Sequence, residues 1–145
     1  MKIPCFIIIA LATTARPALA QQCDQTIEKA FENSTSVVAA EAISVKTEFS
    51  GHPLDRAKPR EVQIVSWVVL ESWKGDKKPK DLFDTHTVVN ISREDGRSVS
   101  QNEAYLLYQM DPSWVSTCSR SSVLKHAIRD IPVLYRLASD IKAGT

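Results

Sequence analysis

Glycine is scarce in this chain of 145 residues, and its scarcity excludes one class of binding site. Only four glycines occur, three in segments with the composition of turns and one next to the C-terminal residue. Loops that cradle phosphate groups need closely spaced glycines, as in the P-loop and the GxGxxG pattern, and neither pattern is present. The chain is therefore not expected to bind a nucleotide through such a loop, and we predict no cofactor.

An excess of charge of either sign is also lacking. The chain carries 18 basic and 17 acidic residues, which gives a formal net charge of +1 at pH 7. Proteins that bind nucleic acids or anionic membranes mainly through charge carry a strongly basic surface. We therefore predict no nucleic-acid partner.

Residues with catalytic or metal-binding chemistry are few, and their spacing matches no common centre. The three histidines, His52, His86 and His126, form no HExxH pattern, and no two cysteines form a CxxC pair. No GxSxG nucleophile pattern occurs either. We predict no catalytic residues, no metal ligands and a non-enzymatic protein. One alternative stays open, a small extracytoplasmic hydrolase that uses one of the three histidines.

The longest hydrophobic run near the N-terminus is too short to span a bilayer. It covers residues 5–12, whereas a membrane-spanning helix needs about 20 apolar residues. Lys2 precedes the run and Ala18-Leu19-Ala20 follows it, which is the order of features in a secretory signal peptide. We predict that residues 1–20 are a cleaved signal peptide and that residues 21–145 form a single domain. The protein is expected to be secreted or periplasmic, with no membrane contact after cleavage.

Cleavage after Ala20 would also decide which cysteines remain. Cys5 would leave with the signal peptide, so that Cys23 and Cys118 would be the two remaining cysteines. Two cysteines in an oxidising compartment most simply pair with each other. We predict a disulfide between Cys23 and Cys118, which would tie the new N-terminus to the C-terminal segment.

Apolar periodicity predicts helices at both ends of the domain and strands between them. Asp24 is expected to cap a short helix that runs through Asn33, where apolar residues recur at helical spacing. A second apolar stripe predicts a helix capped by Ser121 or Ser122, and Pro132 is expected either to break it or to begin a second helix. Period-two alternation predicts strands at 37–49, 61–73, 84–92 and 104–110, and turn-forming residues predict a loop at 51–60.

The strand predicted at 61–73 is apolar on both faces. Val65, Trp67 and Trp73 share one parity, and Val62 and Val68 share the other. Residues of equal parity share a face of a strand, so both faces are expected to be buried, with helices packed on one of them. The strand at 37–49 is expected to bury a single face, which carries Val37, Ala39, Ile43, Val45 and Phe49.

Together these elements predict an α+β fold that is mainly β. Five short antiparallel strands within about 75 residues are enough for a small, partly open barrel. A short N-terminal helix would precede the barrel, and one or two helices would follow it.

The order of several short segments resembles that of a known family. In chain order they are Cys23, the helix end Ala30-Phe31, the strand at 37–42, the turn Trp73-Lys74-Gly75, the strand at 103–108 and Cys118-Ser119-Arg120 before a C-terminal helix. In this order the chain resembles the bacterial branch of the tissue-inhibitor-of-metalloproteinase-like, or netrin-like, domains. The resemblance implies an OB-fold, a five-stranded barrel with flanking helices and with disulfides that hold the N-terminus.

The resemblance also implies a protein that acts by binding. Animal members of the family inhibit metalloproteinases through an N-terminal cysteine that chelates the catalytic zinc, and Cys23 is the matching position. Cleavage after Ala20 would leave Gln21 and Gln22 ahead of Cys23, so this cysteine would carry no free amine and zinc chelation is not expected. We predict a binding domain for an unknown extracytoplasmic protein, with a metalloproteinase as one candidate. A structural interaction module of the cell envelope is a further alternative.

Trp114 is the tryptophan whose environment the sequence leaves open. It lies between Pro112 and Cys118, so it is expected either to cover the predicted disulfide or to be exposed as a contact. Trp67 and Trp73 lie within a predicted strand and are expected in the core. Cys23 and Trp114 are therefore the two predicted partner contacts.

Overall fold

A short helix, five strands and a longer helix follow one another along the chain. They are seen in a computed structural model that describes residues 25–52, 55–88, 98–115 and 119–144. The elements are α1 (Ile27–Asn33), β1 (Ser36–His52), β2 (Asp55–Lys74), β3 (Leu82–Val88), β4 (Ala104–Gln109), β5 (Ser122–Val123), a 3₁₀ turn (Leu124–His126) and α2 (Ile131–Ala143). The strands form one antiparallel sheet in the order β3-β2-β1-β4-β5. The prediction of a mainly β fold with five antiparallel strands is confirmed.

Helix α1 begins at Ile27, which is two residues later than a cap at Asp24 would place its start. Thr26 is the N-cap, and its Oγ1 accepts a hydrogen bond of 3.2 Å from the Lys29 amide. The predicted cap, Asp24, lies outside the described residues. The predicted end at Asn33 is confirmed, and Ser34 follows with its hydroxyl donating to the Ala30 carbonyl at 2.7 Å. Local hydrogen bonding by the short polar side chains thus begins and ends this helix.

The Trp73-Lys74-Gly75 turn holds α1 against the sheet. Lys74 Nζ donates to the Phe31 carbonyl at 2.7 Å and to the Glu32 carbonyl at 3.0 Å, and it lies 5.1 Å from the centre of the Phe31 ring. These carbonyls belong to the last turn of a helix, where they have no partner within the helix and attract a cation. Gly75 has a φ of +97°, and a Cβ there would lie 3.1 Å from the Thr35 carbonyl oxygen. The turn therefore has a structural role.

The predicted loop at 51–60 is wrong. Strand β1 continues to His52 and β2 begins at Asp55, so that the two strands form one long hairpin paired as far as His52 and Asp55. Gly51 and Pro59, two of the residues that predicted a loop, are backbone partners within this hairpin. A proline fits a strand where its missing N–H is not needed for pairing. The outer side of an edge strand is such a position.

The single buried face predicted for β1 is also wrong, because the strand contains a bulge. Pairing passes from Ala42–Trp67 to Ser44–Ser66, which leaves Ile43 as an extra residue without an opposing partner. An extra residue reverses the parity of everything beyond it. Val45 consequently packs on the opposite face from Val37, while Ile43 and Phe49 are exposed, Phe49 to 79%.

A second bulge separates the two tryptophans of β2. Pairing passes from Ala40–Val69 to Ala39–Glu71, so Leu70 is the extra residue. Trp67 and Trp73 are both buried, as predicted, but they pack on opposite faces of the sheet. The expectation that both faces of this strand are fully buried is wrong for Leu70, which is 43% exposed.

The sheet has a core on each face. The helix-side core is built mainly from α1, α2 and residues of β1, β2 and β4. Its buried members are Ala30, Phe31, Val37, Ala39, Trp73, Leu106, Tyr108, Ala127 and Leu134. The strand-side core consists of Val38, Ala40, Ala42, Val65, Trp67, Val69, Tyr105, Leu107 and Val115. Consecutive residues of β4 thus enter different cores. The prediction that helices cover one face is confirmed.

The sheet curls around the strand-side core without closing into a barrel. Phe83 of β3 and Val123 of β5 come from opposite edges of the sheet, yet both pack against this core. Among the residues that the structure describes, β3 and β5 do not pair with each other. Instead the segment 113–115 lies along the outer edge of β3, where the His86 amide donates to the Ser113 carbonyl at 2.8 Å and the Val115 amide donates to the His86 carbonyl at 3.0 Å.

The segment after Cys118 differs from the helix predicted there. Ser122 and Val123 form the short strand β5 beside β4, and the 3₁₀ turn follows. Helix α2 begins at Ile131 with Pro132 in its first turn, so the second alternative predicted for this proline is correct. No helix in the described part of the chain is both long enough and apolar enough to cross a membrane.

Candidate interaction surface

A partly buried ion pair between Arg120 and Asp130 joins the C-terminal segment to the sheet. Asp130 is 6% exposed, and its carboxylate accepts hydrogen bonds from Arg120 Nε at 2.7 Å and Arg120 Nη2 at 3.0 Å. The Tyr108 hydroxyl donates to the same carboxylate at 3.0 Å. A two-pronged guanidinium contact of this kind is strong and directional. The three side chains therefore fix the segment that leads into α2 against β4.

This network changes the titration of two of its members. Burial raises the pKa of the Tyr108 hydroxyl well above its usual value of 10, and the negative charge of Asp130 raises it further. The hydrogen bonds to Asp130 also raise the pKa of Arg120. Both groups therefore keep their protons over the physiological pH range.

The same arginine holds the N-terminal segment. Arg120 Nη1 donates to the Gln25 carbonyl at 2.9 Å. Gln25, Met110, Ser119 and Arg120 line a common cleft, which has room for no more than about one water molecule. The cleft is a tight junction between the beginning and the end of the domain. Its dimensions do not suit a small-molecule ligand.

The two cysteines of the predicted disulfide are close in sequence to the two residues of this junction. Cys23 and Cys118 both lie outside the described residues. Each is two positions away from a residue of the Arg120–Gln25 hydrogen bond, and Ser119, the neighbour of Cys118, lines the same cleft as Gln25.

The turn at 110–115 projects beside this junction. The Ser113 amide donates to Asp111 Oδ1 at 2.7 Å, which closes the turn locally, and Asp111 and Trp114 form a backbone bridge. Thr35 Oγ1 donates to the Gln109 carbonyl at 3.0 Å, which anchors the start of the turn to β1. Met110 is 50% exposed, and residues 111–113 are exposed as well.

Trp114 is half-buried, and its ring lies on His86. The ring centres are 5.2 Å apart with 35° between the ring planes, and the two residues also share a parallel backbone bridge. Sequence periodicity did not anticipate this pair, since 27 residues separate its members and neither lies in a recognisable motif. The predicted contact with the disulfide concerns Cys118, which lies outside the described residues. Trp114 therefore caps the outer edge of β3.

The histidines do not converge in the described residues. His86 contacts Trp114, and its Nδ1 lies 3.4 Å from the Ser113 carbonyl oxygen. His126 is exposed in the 3₁₀ turn, and the side chain of His52 lies outside the described part. Within that part, no group of three His, Cys, Asp or Glu residues could hold a metal ion.

Comparison of the sequence with protein families and with curated proteins identified no relative. No protein-family model matches the chain, and no curated protein is similar to it in sequence. The resemblance to netrin-like domains therefore stays a prediction that depends on the order of the segments named above.

The buried tyrosine makes the stability of the protein sensitive to alkaline pH. Because folding raises the pKa of Tyr108, the folded state favours the protonated hydroxyl, and this stabilisation is complete below pH 10 and lost as the pH rises further. At neutral pH we expect Tyr108→Phe to lower the free energy of unfolding by about 1 kcal/mol, through the lost hydrogen bond. Above pH 10 the advantage of the wild type should shrink by about 1.4 kcal/mol per pH unit.

Urea unfolding of both proteins between pH 7 and pH 11 measures this difference. Other tyrosines and the lysines titrate in both proteins, so their contributions cancel in the comparison. A difference that stays constant up to pH 11 would contradict the assignment of the alkaline loss to Tyr108.

Proposed function

We propose that this chain is a non-enzymatic, exported binding domain of the netrin-like type, with a partly open OB-fold barrel. It would bind an extracytoplasmic protein through a surface formed by the N-terminal segment and the turn at 110–115. The observation that carries the proposal is the hydrogen bond from Arg120 to the Gln25 carbonyl, which joins the N-terminal segment to the residues after Cys118.

The curled sheet supports the barrel. Its two outermost strands contribute Phe83 and Val123 to the same core, as the strands of a barrel do. In a closed barrel the outer edge of β3 would pair with the last strand of the sheet. Here the segment 113–115 bonds to that edge. A gap in the hydrogen bonding between the first and last strands is compatible with the partly open OB-fold.

The position of the junction supports a covalent link between Cys23 and Cys118. Arg120 and its partners already hold both segments together, so that a disulfide could form there without moving the sheet. Such a link would hold the N-terminal residues in place beside the turn. Residues held in place before binding lose less conformational entropy when a partner binds, which favours affinity.

The turn itself has the properties of a contact surface. Asp111 closes it, Thr35 anchors it, and Met110 is exposed at its start. Trp114 stiffens its end by stacking on His86. Exposed apolar and aromatic residues on a rigid support are common at the centres of protein interfaces.

A photo-crosslinking experiment in the native compartment tests this proposal. A benzophenone amino acid at position 110 is expected to give a reproducible adduct with a partner protein. The same amino acid at position 141 is the matched control, because Ile141 is 48% exposed on α2 but lies outside the proposed surface. Mass spectrometry of a non-reducing digest would identify the adduct and would also detect the Cys23–Cys118 link.

Two outcomes would contradict the proposal. The first is the same set of adducts from both positions, which would mean that the turn is not a preferred contact. The second is a digest in which Cys23 and Cys118 are both free thiols, which would remove the covalent hold on the N-terminal segment.

A further inference from the structure

The long hairpin leaves part of β1 without a neighbour on one side. Strand β4 pairs with β1 only over Ser36–Glu41, although β1 continues to His52. Beyond β4, the Asn102 amide donates to the Ala42 carbonyl and the Gln101 side chain donates to the Ile43 carbonyl. From Ser44 onward, no backbone or side-chain group among the described residues bonds to this edge of β1. The second half of the strand is therefore an open edge.

The side chains along this edge are accessible. Lys46, Thr47 and Glu48 are exposed, and Phe49 is 79% exposed. Strands β2 and β3 support this part of β1 on its other side, so the edge is held in an extended conformation. An unpaired edge of a sheet is a template for another strand. Phe49 adds a large apolar side chain to this edge, and a second strand paired here would cover part of it.

We infer that this open edge pairs with the same edge of a second copy of the chain, antiparallel and about a two-fold axis at Thr47. In this register Lys46 of each copy faces Glu48 of the other, which gives two opposite-charge pairs. Val45 of each copy faces Phe49 of the other, which gives two apolar pairs. Residues directly opposite in an antiparallel pair lie on the same face with Cβ atoms about 5 Å apart, so all four pairs are in contact.

The charged residues favour this register over the registers whose axes lie at Lys46 or Glu48. Consecutive residues of a strand direct their backbone groups to opposite edges, so residues that face each other across a symmetric pair must be an even number of positions apart in the sequence. The two-fold axis must therefore pass through a residue and not between two residues. An axis at Lys46 would place Lys46 against its own copy, and an axis at Glu48 would place Glu48 against its own copy. Like charges directly opposite each other are destabilising. Only the axis at Thr47 joins opposite charges across a symmetric interface.

The resulting dimer would have one continuous sheet across the two copies, with β3, β2 and β1 of each copy contributing three strands on either side of the axis. Its interface is small, so we expect weak, reversible association that is populated at high protein concentration. This inference does not depend on the proposed netrin-like function, because the open edge of β1 uses none of the residues at the Arg120–Gln25 junction or the turn at 110–115.

Sedimentation equilibrium of the purified protein, with its full chain, tests whether the Lys46–Glu48 pairs stabilise the dimer. Lys46→Glu alone and Glu48→Lys alone each place like charges opposite one another twice, so each variant should dimerise about tenfold more weakly than the wild type. Mixing the two variants pairs an all-acidic edge with an all-basic edge. The mixture should therefore regain a mass close to that of the wild-type dimer, and circular dichroism of each variant checks that it is folded.

A cysteine on the axis gives an independent readout. Thr47→Cys should form an intermolecular disulfide on mild oxidation, because the two copies of residue 47 would face each other within reach of such a bond. Glu48→Cys is the matched control, since residue 48 faces residue 46 of the other copy, and it should crosslink much more slowly. A wild-type protein that stays monomeric at about 1 mM would overturn the inference. A dimer whose mass is insensitive to both charge reversals would overturn it as well.

Discussion

Replacing Trp67 with alanine is expected to remove a large part of the protein's free energy of unfolding. Trp67 is fully buried at the centre of the strand-side core. Its ring stacks on Phe83 at 6.4 Å and meets the edge of Tyr105 at 5.6 Å, and its indole N–H donates to Thr85 Oγ1 at 2.8 Å. Truncation of a buried tryptophan lowers the free energy of unfolding by about 3–5 kcal/mol. The total for a domain of this size is only about 5–15 kcal/mol.

The effect is large because Trp67 connects three strands that are distant along the chain. Phe83 and Thr85 come from β3, and Tyr105 comes from β4. Trp67→Phe should be milder than alanine, since it keeps most of the apolar volume and loses the hydrogen bond to Thr85. The buried Thr85 hydroxyl would then lack its donor, at a cost of about 1–3 kcal/mol.

Urea unfolding monitored by circular dichroism measures both variants. Trp114→Ala is the matched control, because it makes the same chemical change at a half-buried site outside both cores. Equal losses for Trp67→Ala and Trp114→Ala would contradict the central place of Trp67 in the strand-side core.

Replacing Arg120 with alanine is expected to lower the free energy of unfolding by about 3 kcal/mol. The substitution leaves the buried Asp130 carboxylate with only the Tyr108 hydroxyl as a donor. Removing the cation of this pair is costly, because the Asp130 carboxylate is buried and would lose its opposite charge. It also removes the hydrogen bond to the Gln25 carbonyl, so the N-terminal segment should become more accessible to proteases.

Arg136→Ala is the matched control for this prediction. Arg136 forms an ion pair of 3.2 Å with Glu28, and both side chains are more than half exposed. Exposed ion pairs contribute at most about 1 kcal/mol, so this variant should unfold almost as the wild type does. If the two arginine variants had the same stability, the network around Asp130 would not be the anchor of the N-terminal segment.

Several elements could be predicted because their signals are local. The end of α1 at Asn33 follows from short polar residues that satisfy helix ends, and the strand β4 was placed to within one residue by its alternation. Pro132 was expected either to break a helix or to begin one, and the structure shows the second alternative, with the proline in the first turn of α2. Each of these signals acts within a few residues.

The wrong predictions share a cause. Each concerns a feature that depends on contacts between residues distant in sequence. The bulges at Ile43 and Leu70 reverse the parity of β1 and β2, and only the pairing of the two strands reveals them. The loop predicted at 51–60 is strand because each half finds a partner in the other. Ser122 and Val123 form β5 rather than a helix because the edge of β4 is there to pair with them.

The sequence alone was enough to predict a mainly β domain with a helix at each end, the approximate positions of four of its antiparallel strands, and buried tryptophans at 67 and 73, because periodicity and turn chemistry act between near neighbours. The tertiary structure decided which face each tryptophan occupies, how the sheet curls, and that Arg120 joins Asp130 to Gln25. The last of these contacts spans 95 residues, and no local pattern in a single sequence encodes a partner at that distance. Side chains so far apart meet only after the sheet has brought both segments together.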